Sequence, residues 1–323
     1  MHYLGIDVSL ATLELSDSEG AFRETYANSL SGHRKLIRQA RLRLPQQCVR
    51  MVIEPTSTYH ERLIASLASA GIGHVLVSPL RARRYASSLG LRAKTDRVDA
   101  RMLARMGERE MLAESRPPEE GKQRLRALRR HLQWLEDEAI SVRNRLGAAN
   151  ASPYTPSSVL RTLRRLVKDL ERQAEETERE IERTVKEDQE LSTRAQLLTS
   201  VPGIGVKSAP LMLTELPSPE ECADSRSWPA FCGATPKTVQ SGKVSYAVLS
   251  RAGRPDLRAH LYMPAMVAMR ANPAVAAYAA RLAARGKTGK KAIMAAMHKL
   301  LRICFGVLKT GRPFNPTLHL KNA

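Results

Sequence analysis

The chain has 323 residues, a length that suits two domains or three small ones. Its 52 Lys and Arg residues outnumber its 32 Asp and Glu residues, which leaves a formal net charge of +20. Such an excess favours a polyanionic partner, either nucleic acid or an anionic membrane surface. The apolar fraction of 43% can supply a buried core and argues against wholesale disorder.

Several classes of protein are disfavoured by cysteine usage and hydropathy. The cysteines are scattered without CxxC spacing, which argues against a zinc ribbon and against a secreted disulfide framework. The first residues lack the basic and apolar regions of a signal peptide, and no run of about 18 apolar residues could span a membrane. We therefore expect a cytoplasmic protein that does not use a membrane. Because aromatic residues make up only 4% of the chain, nucleic acid would be contacted mainly by Lys and Arg on phosphates.

Residues 1–115 predict an alternating α/β domain. Short apolar strands are expected at Tyr3–Ile6, Thr12–Leu15, Cys48–Ile53 and His74–Val77. Helices are expected at Gly32–Leu44, at Tyr59–Ala70 and over most of Pro79–Met111.

Residues 116–195 have a different pattern, in which Leu recurs every three or four residues on both sides of a break at Ser152–Pro153. Charged residues fill the intervals, as in a helical hairpin or a coiled coil. Length alone does not separate an intramolecular hairpin from a dimerisation arm. Residues 196–323 form a third, mainly helical segment, in which we expect Trp228 and Phe231 to lie in the core.

Acidic residues end two of the predicted strands, Asp7 the first and Glu54 the third. A further pair, Asp96 and Asp99, would share one face of a helix over residues 95–105. Four carboxylates in one pocket would repel one another unless divalent cations compensate, and Mg²⁺ prefers hard oxygen ligands. Two such ions about 4 Å apart can stabilise the attacking and leaving oxygens of phosphodiester exchange. Taken singly, each acid could equally be a helix cap or a solvated surface residue.

The segment Val201–Ala209 is typical of a helix-hairpin-helix motif. Gly203 and Gly205 would let a tight turn present backbone N–H groups to a phosphate, with Lys207 beside them. The alternative is a glycine-containing turn between two packed helices.

Two further segments are candidates for phosphate chemistry. Ser241 precedes a flexible Gly-Lys pair and could be an exposed nucleophile, although a hydroxyl is a poor nucleophile until a base or a metal activates it. Most Ser-Gly pairs are only turns. The basic loop carrying Lys287, Lys290 and Lys291 lacks the spacing of a Walker phosphate loop. We therefore expect it to contact a phosphate backbone, and we expect no nucleotide cofactor.

In this order, the features resemble transposases of the IS110 family, the recombinases of insertion sequences that include bridge-RNA-guided enzymes. The likeness covers nearly the whole chain. Segments similar to the RuvC-like, RNase H-type domain of that family are Tyr3–Ser9, Ile53–Tyr59 and Lys94–Leu103. Segments similar to its C-terminal transposase domain are Val201–Gly205, Trp228–Pro236, Ser241–Gly242 and Leu261–Ala268. The most specific of these is the KTD-x-VDA segment that follows a G-I-D strand.

The resemblance implies a DEDD site and a catalytic serine. The acidic site would consist of Asp7, Glu54, Asp96 and Asp99 and would hold two Mg²⁺ ions. The serine, for which Ser241 matches best and Ser245 is the alternative, would attack a DNA phosphate and form a covalent phosphoserine link. The remaining expected nucleic-acid contacts in or beside the matching segments are Arg92, Lys94, Arg97, Lys243 and Arg251.

The resemblance also implies a domain arrangement and partners. Residues 1–115 would be the RuvC-like RNase H-fold domain, residues 116–195 a coiled coil, and residues 196–323 the transposase domain with its helix-hairpin-helix. Donor and target DNA would be paired by a structured guide RNA. Homodimers would assemble into a homotetramer on nucleic acid, with the serine of one protomer meeting the acidic pocket of another. The protein would lie in a prokaryotic cytoplasm, on the nucleoid when bound to DNA.

The leading hypothesis is a site-specific DNA recombinase with a metal-assisted serine nucleophile. A RuvC-like nuclease, in which water attacks and Ser241 only binds, is the first alternative. A sugar kinase or actin-like ATPase also opens with a G-I-D strand, but the charge excess and the missing second glycine-rich phosphate motif count against it. A nucleic-acid-packaging or RNA-binding protein would leave the acidic residues without a role.

Overall fold

The computed structural model describes residues 2–44, 49–89, 96–116, 119–241, 244–249 and 253–320, with the backbone alone at 96–98, 236–241, 244–249 and 319–320. The chain divides into two units, Met1–Pro118 and Glu119–Ala323. Each unit has buried apolar clusters of its own. The N-terminal part is α/β and the C-terminal part is mostly helical, which confirms the predicted fold classes.

The first unit contains a mixed five-stranded sheet in the order β3-β2-β1-β4-β5. Its strands are β1 His2–Val8, β2 Thr12–Ser16, β3 Arg23–Ala27, β4 Val49–Ile53 and β5 Gly73–Leu76. β1, β4 and β5 run parallel, whereas β2 is antiparallel to both β1 and β3. The four predicted strands are confirmed. β3 is an addition, because its sequence RETYA buries only Tyr26 and lacks the apolar run that marks the others.

Helices cover both faces of this sheet. They are α1 Leu30–Arg43, α2 Glu61–Ser69, α3 Pro79–Ser88 and α4 Asp96–Glu110. Successive residues of a strand point to opposite faces, so β1 contributes to two cores. Leu4 packs in one core with Leu36 of α1 and with the apolar side of α2. Tyr3 packs in the other core with Leu103 of α4. The first unit is therefore a three-layer α/β/α structure.

The second unit begins with two long helices, α5 Glu120–Ala151 and α6 Ser157–Glu187. They pack against each other as a hairpin, with an ion pair between Arg143 and Glu171. The predicted break at Ser152–Pro153 is the connection between them. The leucine spacing predicted either an intramolecular hairpin or a dimerisation arm, and the two helices form a hairpin within the chain. A role in dimerisation stays a prediction.

The rest of the second unit is helical apart from one small sheet. Its helices are α7 Gln189–Thr199, α8 Ser208–Glu215, α9 Ser227–Cys232, α10 Pro255–Ala271, α11 Pro273–Ala284, α12 Gly289–Thr310 and α13 Pro316–Leu320. A 3₁₀ turn lies at Pro219–Glu221, and β6 Pro236–Ser241 pairs with β7 Val244–Leu249. No helix in the described ranges is long and apolar enough to cross a membrane.

Candidate active site

Asp7 and Glu54 stand side by side at one end of the sheet. β1 and β4 are parallel neighbours in a register that sets Ile6 opposite Ile53. Each acidic residue directly follows one of these isoleucines, and adjacent strands are about 4.8 Å apart. Both acidic residues are half-buried. The parallel pairing therefore brings together two acids that are 47 positions apart in the sequence.

Both acids lie on the face of the sheet that α4 covers. Tyr3 and Val52 pack in the core beneath α4. Asp7 follows Tyr3 by four residues, an even number, and so points to the same face. Glu54 follows Val52 by two residues and does the same. Their carboxylates are thus directed to the α4 side and away from α1 and α2.

A very close contact fixes α4 on β1. A Cβ atom on Gly5 would lie 1.8 Å from the carbonyl oxygen of Ala100 and 2.7 Å from the amide nitrogen of Ala104. Further along, a Cβ on Gly107 would lie 2.6 Å from the Tyr3 ring. Later residues of α4 thus meet earlier residues of β1, so the helix runs antiparallel to the strand. Its N-terminal end is at the end of the sheet where β1 finishes.

This direction brings Asp99 to the same end as the strand-end acids. Asp99 is half-buried and precedes Ala100, the residue that contacts β1. The helix expected over residues 95–105 is confirmed from Asp96 onward, so Asp96 and Asp99 are separated by about one turn. The side chain of Asp96 lies outside the description. Among the described side chains, no three His, Cys, Asp or Glu residues stand close enough together to hold one metal ion.

Ser241 is the last residue of a β-hairpin strand, an element that the sequence analysis missed. In the ladder between β6 and β7, Ser241 pairs with Val244 and Gln240 pairs with Ser245. The two candidate serines therefore occupy neighbouring rungs of the ladder. A signal was present in the sequence, because strand-favouring Thr, Val and Tyr residues occur on both sides of a Gly-containing pair.

The two ends of this hairpin are held by glycine contacts and by arginine hydrogen bonds. Gly233 and Gly253 have positive φ angles of 70° and 153°, and a Cβ on Gly253 would lie 2.5 Å from the Gly233 backbone. Arg258 donates from Nη1 to the Cys232 carbonyl oxygen at 2.8 Å. The backbone N–H of Arg254 donates to the Phe231 carbonyl oxygen at 3.3 Å. The segments that enter and leave the hairpin are therefore fixed against each other.

Arg254 is a further residue that the sequence analysis did not single out. Its guanidinium pairs with Glu215 at 2.8 Å and with Asp256, to which Nε donates at 3.0 Å. The hydrogen bond to Asp256 raises the pKa of Arg254 above its ordinary value, and the same bond lowers the pKa of Asp256. This charge cluster ties the segment after the hairpin to α8 and to the start of α10.

Two family models match the chain. The DEDD transposase model of IS110 matches residues 4–149, and a model described as transposase of the IS116/IS110/IS902 family matches residues 195–280. A pilin gene-inverting protein of Moraxella lacunata is 30% identical over 272 residues, which are 83% of each chain. The chain belongs to the IS110 family of transposases.

Other relatives of this IS110 transposase differ in coverage. The pilin gene-inverting protein of Moraxella bovis is 29% identical over 323 residues, 98% of each chain. An uncharacterized insertion element IS110 protein of Streptomyces coelicolor is 28% identical over 116 residues, 36% of this chain and 29% of the other. The transposase is thus an enzyme that recombines DNA. The first family model spans all four predicted carboxylates, and the second spans both candidate serines.

In the segment Val201–Ala209 of the transposase, predicted to contact phosphate, one of the two glycines is required for packing. Gly203 has a φ of 106°, and a Cβ there would lie 2.6 Å from the Ala268 Cβ, so α10 requires a glycine at this position. Gly205 has open space around it. Lys207 is exposed, and its Nζ lies 2.5 Å from a Glu178 carboxylate oxygen. Whether these residues contact phosphate stays a prediction.

The other predicted nucleic-acid contacts of the transposase fall into two groups. Lys287, Lys290 and Lys291 are exposed around the N-terminus of α12. The remaining predicted contacts lie outside the described residues, or, for Arg97, are described by the backbone alone: Arg92, Lys94, Arg97, Lys243 and Arg251.

Proposed function

We propose that this transposase cuts and rejoins DNA at specific sites through Ser241, assisted by Mg²⁺ at Asp7, Glu54, Asp96 and Asp99. The observation that supports this most is the adjacency of two half-buried carboxylates at the ends of parallel strands, under the start of the helix that bears the other two. A solvated surface role for Asp7 and Glu54 would not require that placement.

We also propose that the first unit is an RNase H-like, RuvC-like domain. The sheet order 3-2-1-4-5, with β1, β4 and β5 parallel and β2 antiparallel between β1 and β3, supports this assignment. For the second unit, the turn between α7 and α8 supports a helix-hairpin-helix, since it joins two packed helices through a glycine with positive φ.

The donor set suits magnesium. Asp7, Glu54 and Asp99 offer hard carboxylate oxygens, which Mg²⁺ prefers over the nitrogen and sulfur ligands that zinc takes. Adjacent half-buried carboxylates also repel each other, and a bound cation would relieve that repulsion. When bound, the metal would stabilise negative charge on the attacking and leaving oxygens of the phosphate.

The serine would conserve the energy of the phosphodiester bond. Attack by the Ser241 oxygen on a DNA phosphorus forms a phosphoserine ester and breaks one P–O bond of the strand. The serine proton leaves, and the released DNA oxygen becomes a hydroxyl. Attack by a second DNA hydroxyl on the phosphoserine restores a phosphodiester and the free serine. Since one ester replaces another at each step, ATP is not needed.

Two observations favour a serine on this hairpin as the nucleophile. Burial raises the pKa of the nearby Cys232 thiol to about 12, so that this group stays protonated and unreactive. The glycine and arginine contacts at the hairpin's base hold the two ends of the element that carries Ser241 against each other. Ser245 lies on the neighbouring rung, and neighbouring rungs belong to opposite faces of the ribbon. Only one of the two serines would therefore meet a given DNA strand.

We further propose that the exchange resembles DNA inversion, as the name of the Moraxella relatives suggests, and that homodimers assemble into a homotetramer on donor and target DNA. A structured guide RNA would then supply sequence recognition. That division of labour suits a chain with 52 cationic residues and few aromatic platforms for base stacking.

The deciding experiment is a search for a covalent adduct. The protein would be incubated with Mg²⁺, RNA transcribed from the DNA that flanks its coding sequence, and a labelled duplex carrying that DNA. The mixture would then be denatured and separated by electrophoresis. We expect a protein–DNA adduct that Ser241→Ala abolishes and Ser245→Ala retains. Free cleaved ends without adduct, produced equally by Ser241→Ala, would establish the water-dependent nuclease instead.

A further inference from the structure

An open, basic groove lies on the first unit between the outer sides of α1 and α2. Its volume is about 1000 Å³, and its polar lining consists of Arg34, Arg38, Arg41, Arg62, Ser66 and Ser69. We call this surface the arginine groove. None of its lining residues is acidic. It lies on the face of the sheet opposite α4, and so apart from the candidate carboxylate site.

The charges in the arginine groove are largely uncompensated. Within the described ranges, Arg34, Arg38 and Arg62 form no ion pair, and all three are exposed. By contrast, Arg43 at the end of α1 pairs with Glu24 at 2.9 Å and lies over the Phe22 ring. Like charges kept close together cost stability unless an anion binds them. The groove therefore has the electrostatics of an anion site.

The spacing of the arginines fits a phosphate backbone. Arg34, Arg38 and Arg41 are at positions i, i+4 and i+7 of α1, so they form one row along the helix. At 1.5 Å per residue this row is about 10 Å long. One strand of duplex DNA carries a phosphate about every 3.4 Å of helix axis, so the row spans about three phosphates. Arg62 faces the row from α2.

The arginines are mounted on a rigid pair of helices. His33 of α1 is fully buried, and its Nδ1 lies 3.0 Å from Ser66 Oγ of α2. Its Nε2 lies 2.9 Å from Asn28 Oδ1, and the Asn28 amide donates to the carbonyl oxygens of Ser9 and Tyr59. Those two residues belong to the loops that follow β1 and β4. The groove therefore starts at the same end of the sheet as the carboxylate site.

We propose that the arginine groove binds the sugar–phosphate backbone of duplex DNA outside the reacting phosphates. The inference rests on the action of this family on DNA and not on the identity of the nucleophile. Guanidinium groups bind phosphate oxygens in a bidentate manner, and backbone contacts of this kind hold a duplex without reading its sequence. The groove would thus orient the DNA arm that leaves the site.

The test is the salt dependence of binding to a labelled duplex of arbitrary sequence, measured with the full-length protein. The triple variant Arg34→Gln/Arg38→Gln/Arg62→Gln should lower the slope of log K against log salt by roughly 2 to 3, since each phosphate contact contributes about 0.9. At 100 mM salt the affinity should fall at least about ten-fold. Replacement of the same three residues by Lys should retain most of the slope, because the charges remain.

A matched control removes three exposed cations from the helical hairpin, by Arg145→Gln, Arg161→Gln and Lys168→Gln. An equal loss of slope in this control would overturn the proposal, because binding would then follow net charge alone. An unchanged slope in the groove variant would also overturn it. If the groove variant lost affinity only for a single-stranded or hairpin RNA probe, and not for the duplex, the groove would be assigned to RNA instead. Covalent adduct formation, scored separately, reports on Ser241 and is independent of these outcomes.

Discussion

The carbonyl oxygen of Ala100 in α4 faces Gly5 in β1 so closely that a Cβ on Gly5 would lie 1.8 Å from it. No side chain fits in that space, so the glycine sets how near the helix approaches the sheet. Asp99 adjoins one of these two residues, and Asp7 is two positions after the other. The same contact that packs the helix therefore sets the distance between two of the candidate metal ligands.

Gly5→Ala should displace α4 and destabilise the first unit by about 1–3 kcal/mol or more, the usual cost of overpacking. We expect faster hydrogen exchange in peptides from β1 and α4, together with loss of strand exchange. Gly147→Ala in α5 is the matched control, since nothing lies within 4 Å of its Cβ position. It should stabilise its helix by about 0.5–1 kcal/mol. If hydrogen exchange in the β1 and α4 peptides of the Gly5→Ala protein were the same as in the parent, the close contact would be contradicted.

Asp7→Asn and Asp99→Asn should abolish strand exchange while leaving DNA binding within about two-fold of the parent. Asparagine keeps the size of the side chain and removes the charge that would bind a cation, whereas affinity for the duplex depends mainly on Lys and Arg. Glu14→Gln is a suitable control, because Glu14 pairs with Asp7 across β1 and β2 but lies outside the proposed ligand set. Recombination by either aspartate variant at the parent rate would rule out the metal role.

Mg²⁺ should raise the thermal midpoint of the first unit, because only the folded unit sets Asp7 and Glu54 side by side. At ten times its dissociation constant the ion would contribute about 1.4 kcal/mol. The readout is far-UV circular dichroism without DNA, and Asp7→Asn should abolish the shift. A shift retained in that variant would place the ion elsewhere. Because both tryptophans, Trp134 and Trp228, lie in the second unit, their fluorescence gives an internal reference.

Local patterns were sufficient to predict much of the first unit. Apolar runs ending in Asp7 and Glu54 are visible in the sequence, and parallel pairing is the ordinary outcome of an alternating strand and helix pattern. The glycine of the G-I-D strand carried further information, since glycine inside a strand often marks a close backbone approach. Which backbone approaches Gly5 depends on α4, almost a hundred residues later, and no local pattern specifies it.

In the second unit, the local sequence was not sufficient to predict which aromatic residues are buried. Trp228 was expected in the core and is 1% exposed, which confirms the prediction, but Phe231 is 40% exposed and the prediction for it is wrong. Both are aromatic residues in one short helix, and only the tertiary partner, the Phe305 ring packed edge-on against Trp228, distinguishes them. The arginine groove is similar. The arginine row on α1 can be predicted from its helical spacing in the sequence. That Arg62 of α2 lines the same groove depends on how the two helices pack.

Acid should destabilise the first unit as the pH falls below about 6.5, because burial disfavours the charged form of two of its histidines. Burial lowers the pKa of His33 and of His74 below 6.5, and the nearby Arg62 adds to the effect at His33. The unfolded chain then binds more protons than the folded chain as pH falls through about 6.5, so the free energy of unfolding decreases from there toward pH 5. His33→Asn should flatten this dependence, as measured by urea unfolding at several pH values. An equally steep dependence in the variant would exclude His33 as a source.

Mixing two inactive variants tests whether protomers share a site. Ser241→Ala lacks the proposed nucleophile, and Asp7→Asn lacks a proposed metal ligand. If the serine of one protomer acts with the carboxylates of another, mixed assemblies contain some sites with both groups intact, and adduct formation should return to a measurable fraction of the parent level. A mixture of Asp7→Asn with Asp99→Asn should stay inactive, because every carboxylate site then carries a defect. Failure of the first mixture, with subunit exchange verified by differently tagged chains, would show that each protomer uses its own serine.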